Sequence, residues 1–349
     1  MRVAGAVGAR RGARVSDVIG SHAAPELARL TRPGRHVFRH VVARLADGTD
    51  LSVPVIVVAG GTSGPCLFAV AGVHGDEPQG VVALQDALGG LDPGGLGGTV
   101  VAIPVANPPA FRAGQRRSPL DDLDLNRTFP GDPTGSPSQR LAHVLLHDYA
   151  LRADFVLSMH SWGSRGLVVP YVEYPAGESP AEAASLAAAR ALGLVFCRQS
   201  RWHPGLLVAC AVHRGVPAVE TEVGGLGIAR APESARYRDV FERLLVHLGL
   251  RPDPGVAAPE AARIVRHLEV TAPVGGVLRP TRDLGAAVRS GEVVATIDDL
   301  HARRLADVTS PVGGVVAAYR LCSSVGPGEA VATVFEDLGE ASGPHGPLA

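Results

Sequence analysis

Lysine is absent from this 349-residue chain, so all 33 of its basic residues are arginine. Schiff-base chemistry on an ε-amine, a phosphate-binding Walker lysine and a lipoyl or biotinyl attachment site all require that residue and are excluded. Cysteine is sparse: Cys66, Cys197, Cys210 and Cys322 are widely spaced and form no Cys-x-x-Cys pair, which reads as reduced, buried thiols in a cytoplasmic protein. No stretch reaches the roughly 18 uninterrupted apolar residues that a spanning helix needs. Arg2, Arg10, Arg11 and Arg14 are followed by no apolar run, so the expectation is neither a signal peptide nor a membrane anchor. An excess of one charge is missing too, with 34 acidic residues against the 33 arginines and no basic stripe, which argues against nucleic acid as a partner.

What is present is 46% apolar, enough for a large core, at a length that suits about two domains. Apolar strand candidates near 52–59, 65–73, 99–106, 153–160, 167–174 and 217–223 alternate with helical patterns near 77–88, 137–150, 179–192 and 232–249. Such alternation predicts a mixed α/β sheet covered by helices on both faces. Gly95-Leu-Gly97-Gly-Thr-Val100 ends in Val where a dinucleotide loop needs its third Gly, and it precedes a strand, so it reads as a turn.

The run Pro65-Cys-Leu-Phe-Ala-Val-Ala-Gly-Val73 predicts a buried parallel strand with His74 at its carboxyl end. Gly75 and Asp76 follow, and Glu77-Pro78 opens a helical pattern, with Pro suited to the first turn. A second buried strand over 153–160 ends on His160. Both histidines thus fall where open α/β sheets place their ligands. Two His and one Glu are the donors of a hydrolytic zinc, which leaves its fourth position to water and lowers that water's pKa to about 7. His74, Glu77 and His160 are therefore the candidate metal ligands, and Zn2+ the candidate cofactor, one per chain.

Val216-Pro-Ala-Val-Glu-Thr-Glu-Val-Gly-Gly225 reads as a short strand with Glu220 and Glu222 on one face and a Gly pair where the backbone turns. Glu222, nearer the carboxyl end, is the better general base, taking a proton from the attacking water and passing it to the leaving nitrogen; the plain alternative is a pair of solvated carboxylates on an edge strand. Residues 107–131 are too broken by Pro and Gly for regular structure, and long loops of this kind are usually functional. They carry Arg112, Arg116, Arg117, Asn126 and Arg127, whose guanidinium forks suit a carboxylate or a developing oxyanion. The plain alternative is an Arg–Asp lattice with Asp121, Asp122 and Asp124.

His74-Gly-Asp-Glu77, Asp124-Leu-Asn126-Arg127 followed by Phe-Pro-Gly, His160-Ser and Glu222-Val-Gly-Gly resemble the ordered motifs of the aspartoacylase and succinylglutamate desuccinylase family, within the zinc carboxypeptidase superfamily. The likeness covers residues from about 50 to 250. It implies a zinc-carboxypeptidase-like α/β fold and a zinc-dependent deacylase cleaving the amide of a small N-acylated amino acid or related carboxylate-bearing compound. It further implies that His74, Glu77 and His160 hold the zinc, that Glu222 is the catalytic base, and that Asn126 with Arg127 binds a substrate carboxylate. Arg116 matches the arginine that polarises the scissile carbonyl, with adjacent Arg117 leaving the register open. Ser158-Met-His160-Ser-Trp162 departs from the Asp-Leu-His-Ser-Gly-Gly of desuccinylases and is similar to the Ser-Ile-His-Ser-Tyr of digestive carboxypeptidases, so a peptide substrate is the rival. A catalytically silent carboxylate-binding protein is the other.

After a linker at 250–260, Ala272-Pro-Val-Gly-Gly-Val-Leu recurs as Ser310-Pro-Val-Gly-Gly-Val-Val, and Gly291-Glu-Val-Val-Ala-Thr-Ile recurs as Gly328-Glu-Ala-Val-Ala-Thr-Val. Two such units predict a small β domain similar to lipoyl and biotinyl half-barrels. The expected organisation is a catalytic domain over 1–255 and a β domain over 262–349. The latter is expected to pack beside the former, restricting large substrates or supporting a homo-oligomer.

Overall fold

The structure, a computed structural model, describes residues 32–255, 261–321 and 324–339. Cys322 and the N-terminal arginines lie outside the described residues. In chain order the strands of the first part are β1 Gly34–Arg44, β2 Asp50–Ala59, β3 Thr62–Ala71, β4 Gly97–Ile103, β5 Phe155–His160, β6 Gly166–Pro175, β7 Phe196–Ser200 and β8 Ala218–Gly225. Between them run α1 Pro78–Gly89, α2 Pro108–Ala113, α3 Pro137–His143, α4 Pro180–Ala191, α5 Leu207–His213 and α6 Ala231–His247. Five of these six helices carry proline at the first or second position, where its missing N–H costs nothing and its φ is already helical.

The sheet runs β1-β2-β4-β3-β5-β8-β6-β7 and is mixed, with β3 parallel to both β4 and β5, and β5 parallel to β8. Period-two alternation divides β3 between two cores. Cys66, Phe68 and Val70 face one, with Leu141, Leu145 and Tyr149. Leu67, Ala69 and Ala71 face the other, with Leu84, Tyr237 and Phe241. The helices therefore cover both faces, which is why β3 and β5 read as continuous apolar runs. Among the described residues no helix is long and apolar enough to cross a membrane.

Several expectations are refined. Strand β1 and the elements β7, α2 and α5 lie outside the sequence-based assignments. Residues 108–113 form a helix inside the segment expected to be irregular, capped by the Asn107 side chain. The helix expected over 137–150 divides into an α-turn run, a wider-wound stretch over Val144–Tyr149 and a tight turn over Ala150–Arg152. Strand β8 lies between β5 and β6 rather than at an edge, and its Gly pair continues the strand instead of turning it, since Gly224 and Gly225 pair with Val168 and Leu167.

The C-terminal part contains β9 Arg263–Thr271, β10 Gly276–Pro280, β11 Ala287–Val288, β12 Val293–Asp298, β13 Arg304–Thr309, β14 Gly314–Arg320, β15 Ser324–Val325 and β16 Ala330–Asp337. Strands β13-β12-β10-β15 make a separate four-stranded sheet, whereas β9, β16, β14 and β11 continue the large one beyond β7. Because β14 also pairs with β6, through Ala318 opposite Val168, the strands β6-β7-β9-β16-β14 close on themselves. Inside this ring Phe335 sits edge-on to Tyr171 at 5.2 Å and to Phe196 at 5.5 Å. The two halves of the chain thus share one aromatic core. Truncating a buried Phe costs about 3–5 kcal/mol, so Phe335→Ala is expected to lower the denaturation midpoint of the whole chain. Trp162 and Trp202, both in the first half, report it: a tryptophan fluorescence midpoint unmoved by the substitution would show the halves to be independent.

Candidate metal centre and substrate cavity

Strand β3 ends at Ala71, and the chain turns through Gly72, whose φ is +61°, to deliver His74 over the sheet edge. Residue 75 must be glycine, because a Cβ there would lie 2.0 Å from the Ala110 carbonyl of α2. Glu77 takes the N-cap position of α1 but caps nothing with its side chain. Its carboxylate turns instead to the two imidazoles, with Oε1 2.7 Å from His74 Nδ1 and Oε2 2.9 Å from His160 Nδ1. One donor atom from each of the three buried residues lies within 4.8 Å of the others.

Each imidazole is held from behind. His74 Nε2 meets Asp124 Oδ1 at 3.1 Å, while His160 Nε2 lies 2.9 Å from Ser158 Oγ and 3.4 Å from Glu220 Oε2. The backbone carbonyl of His160 accepts a hydrogen bond from the buried Tyr237 hydroxyl. Outer partners of this kind fix the tautomer and aim of metal-ligating imidazoles. Burial alone would raise the Glu77 carboxyl, but the charges and hydrogen bonds of His74 and His160 outweigh it and hold it well below the usual range. Burial likewise opposes charge on His160, yet Glu220 and Glu77 push its pKa up to about 10. Two Nδ1 atoms and a carboxylate that share one buried point and draw positive charge into it fit a divalent cation.

Glu222 stands beside His160 in the β5–β8 register. Its Oε2 is buried and, among the described residues, has no hydrogen-bond partner. Burial, reinforced by Glu77, Glu220 and Glu173, raises its pKa well above the ordinary carboxylate value against the opposing pull of His160. Arg116 faces the centre: Nε donates to Asp124 Oδ2 at 3.0 Å, and Nη1 lies 3.7 Å from Glu77 Oε1. Arg117 turns away, donating to the Asp122 carbonyl at 3.0 Å. Part of the loop is thus the Arg–Asp lattice that its composition suggests. Asp121 pins it further by accepting from the Ser136 hydroxyl and from the amide and hydroxyl of Ser138. Asn126 is buried, donating Nδ2–H to Glu220 at 3.2 Å and accepting from the Leu207 amide at 3.2 Å. Arg127 is exposed at the cavity mouth, its guanidinium donating to the Asn126 carbonyl.

His74, Arg116, Asn126, Arg127, Glu220 and Glu222 line a cavity of about 270 Å³ that also takes in Trp162, Tyr171, Glu173, Arg198, Trp202 and His267. Most of this second set escapes sequence reasoning, since each strand contributes one or two residues with no local motif. The carboxylate of Glu173 accepts from Arg198 at 2.6 Å, from the Tyr171 hydroxyl at 3.1 Å and from Trp202 Nε1 at 3.3 Å. Burial, then the nearby Arg198 charge, pulls the pKa of His267 down to about 3, leaving its ring neutral.

A mixed sheet that brings two imidazoles and buried carboxylates together beyond the ends of parallel strands defines an α/β protein with, among the described residues, one candidate metal centre. The chain belongs to the succinylglutamate desuccinylase/aspartoacylase family, whose catalytic-domain profile matches residues 63–248. It is 32% identical over 298 residues to the N-alpha-acetyl-L-2,4-diaminobutyric acid deacetylase of Halomonas elongata, covering 81% of this chain and 85% of that one. Among solved structures it is similar to a succinylglutamate desuccinylase/aspartoacylase from Rhodobacter sphaeroides, with a TM-score of 0.80, 30% identity, and coverage of 88% of this chain and 97% of that chain. The product-bound ectoine utilization protein EutE (DoeB) of Ruegeria pomeroyi gives a TM-score of 0.80 at 25% identity, over 88% of this chain and 96% of that chain. The protein is accordingly an amidohydrolase of the deacylase kind.

Loss of an outer hydrogen-bond partner costs a metal site roughly 10–100-fold in affinity. If this centre takes a divalent cation, Asp124→Asn is expected to weaken its binding by that factor in a chelator competition with zinc as the probe. Unchanged affinity would remove Asp124 from the role of orienting His74.

Proposed function

We propose that this protein is a zinc-dependent deacylase of a small N-acylated amino acid. His74, Glu77 and His160 are the residues that hold the metal, whose chemistry is to lower the pKa of water and polarise a carbonyl. The observation that carries the reading is the buried, unpartnered Oε2 of Glu222 next to His160. A carboxylate raised in pKa and left one hydrogen bond short is suited to take a proton from the attacking water. The same carboxyl then returns that proton to the leaving nitrogen, which departs as a neutral amine. Arg116 donates toward the oxygen on which charge develops, and its salt bridge to Asp124 keeps the guanidinium aimed before substrate arrives. Arg127 and the second Nδ2–H of Asn126 grip the substrate carboxylate and set the scissile bond against Glu222.

The Halomonas elongata relative supports an acetylated diamino acid as the first compound to test. The buried thiols of Cys66, Cys197 and Cys210 support a reducing, cytoplasmic setting. With zinc bound, the protein is expected to hydrolyse Nα-acetyl-L-2,4-diaminobutyrate in preference to a dipeptide in paired amine-release assays. General-base removal costs about 10²–10⁴-fold. Glu222→Gln should lower kcat by that factor with zinc still near one per chain by metal analysis; undiminished turnover would eliminate Glu222 as base, and a wild type faster on dipeptides would favour a carboxypeptidase.

A further inference from the structure

His267 lies on β9, in the C-terminal half, four strands away from His160 across the order β5-β8-β6-β7-β9. Closure of the ring nevertheless makes it part of the wall of the same cavity that His74 and Glu222 line. Its Nδ1 is buried and, among the described residues, has no hydrogen-bond partner, a deficit that disfavours a buried polar atom. Its Nε2 lies 3.2 Å from the Thr333 hydroxyl on β16. Where that hydroxyl donates to Nε2, the proton of the neutral ring sits on Nδ1. Next to it, Arg198 spends Nη1 on Glu173 and keeps further N–H groups. Glu173 already accepts from three donors, so the unmet capacity at this end of the cavity is for an acceptor.

We propose that His267 is a specificity-determining residue of the catalytic cavity, its Nδ1–H acting with Arg198 to receive a carbonyl or carboxylate oxygen at the end of the substrate remote from the metal ligands. The inference rests on the deacylase reading above and extends it, for it makes the C-terminal half a direct part of substrate recognition. Such an oxygen can belong to either half of a substrate, the acyl group or the side chain of the amine product; Nα-acetyl-L-2,4-diaminobutyrate, whose side chain ends in an ammonium, carries neither and gives the baseline rate. Two substrate pairs separate the halves: N-succinyl- against N-butyryl-L-alanine for the acyl half, and N-acetyl-L-glutamine against N-acetyl-L-norleucine for the amine half.

The zinc-loaded wild type is expected to favour the acceptor-bearing member of one pair by about tenfold in kcat/KM, the scale of one buried hydrogen bond. His267→Leu should bring that preference to within about twofold, through KM rather than kcat, with zinc content and melting temperature held. His267→Asn, which keeps an N–H near the position of Nδ1, should retain most of it. Thr333→Val leaves the imidazole but removes the hydroxyl that fixes its tautomer, and should lower the preference by a smaller factor, which reads the idea even if the leucine variant fails to fold. A His267→Leu enzyme with an unchanged preference, or a wild type indifferent within both pairs, overturns the proposal. Should the wild type hydrolyse neither these four nor Nα-acetyl-L-2,4-diaminobutyrate, the deacylase reading falls. Calorimetric titration of the same compounds into wild type and His267→Asn or His267→Leu then tests the subsite alone, and equal affinities overturn it.

Discussion

Everything at this edge of the sheet is organised by one carboxylate clasped between two imidazoles. Glu77 is buried, and a buried carboxylate is tolerated only if positive charge or hydrogen-bond donors meet both oxygens. His74 and His160 meet them from two separate strand ends, at 2.7 and 2.9 Å, and a divalent cation held between the same three groups would take over that role. That demand fixes the local chain: Gly75 to let α2 approach, Pro78 to start α1 directly after Glu77, and Asp124, Ser158 and Glu220 to hold the far sides of the rings. The N-cap side chain is diverted from its ordinary task of capping the helix, and the amide of Ser161 adds a further donor to Glu77 Oε2 at 3.2 Å.

Where chemistry and chain continuity coincide, the sequence is legible. His74 and Glu77 belong to one strand-turn-helix unit, and apolar runs mark β3 and β5 so clearly that the meeting of His74 with His160 follows from topology. The place of Glu222 beside His160 is legible for the same reason, although Glu220 on the same strand also reaches this cluster, backing His160 and bonding Asn126. The choice between Arg116 and Arg117 is settled in position only by the fold, because neighbouring residues on an irregular segment have no periodicity that assigns a direction.

Other parts were hidden for a physical reason. Glu173, Arg198 and His267 each sit on a different strand, and nothing in their immediate neighbours marks them. What unites them is strand register, with Glu173 opposite Arg198 and Arg198 opposite Val265, and register is a property of pairing rather than of composition. The internal repeat correctly indicates a β unit but not that β9 and β16 would extend the large sheet or that β14 would return to β6. Short alternating strands with Gly turns fit a free-standing sandwich equally well.

Ring closure through β6 has a bearing on how this chain tolerates change over evolutionary time. An appended module joined by a tether can be lost, exchanged or shortened without touching the chemistry. Here Tyr171 and Phe335 share a core, and His267 stands in the wall beside Arg198, so shortening from the carboxyl end would open the floor of the reaction chamber and expose apolar strand edges to water. Freedom to insert or diverge is left instead to the far hairpin between β12 and β13, where Leu300 is 91% exposed and nothing faces the chamber.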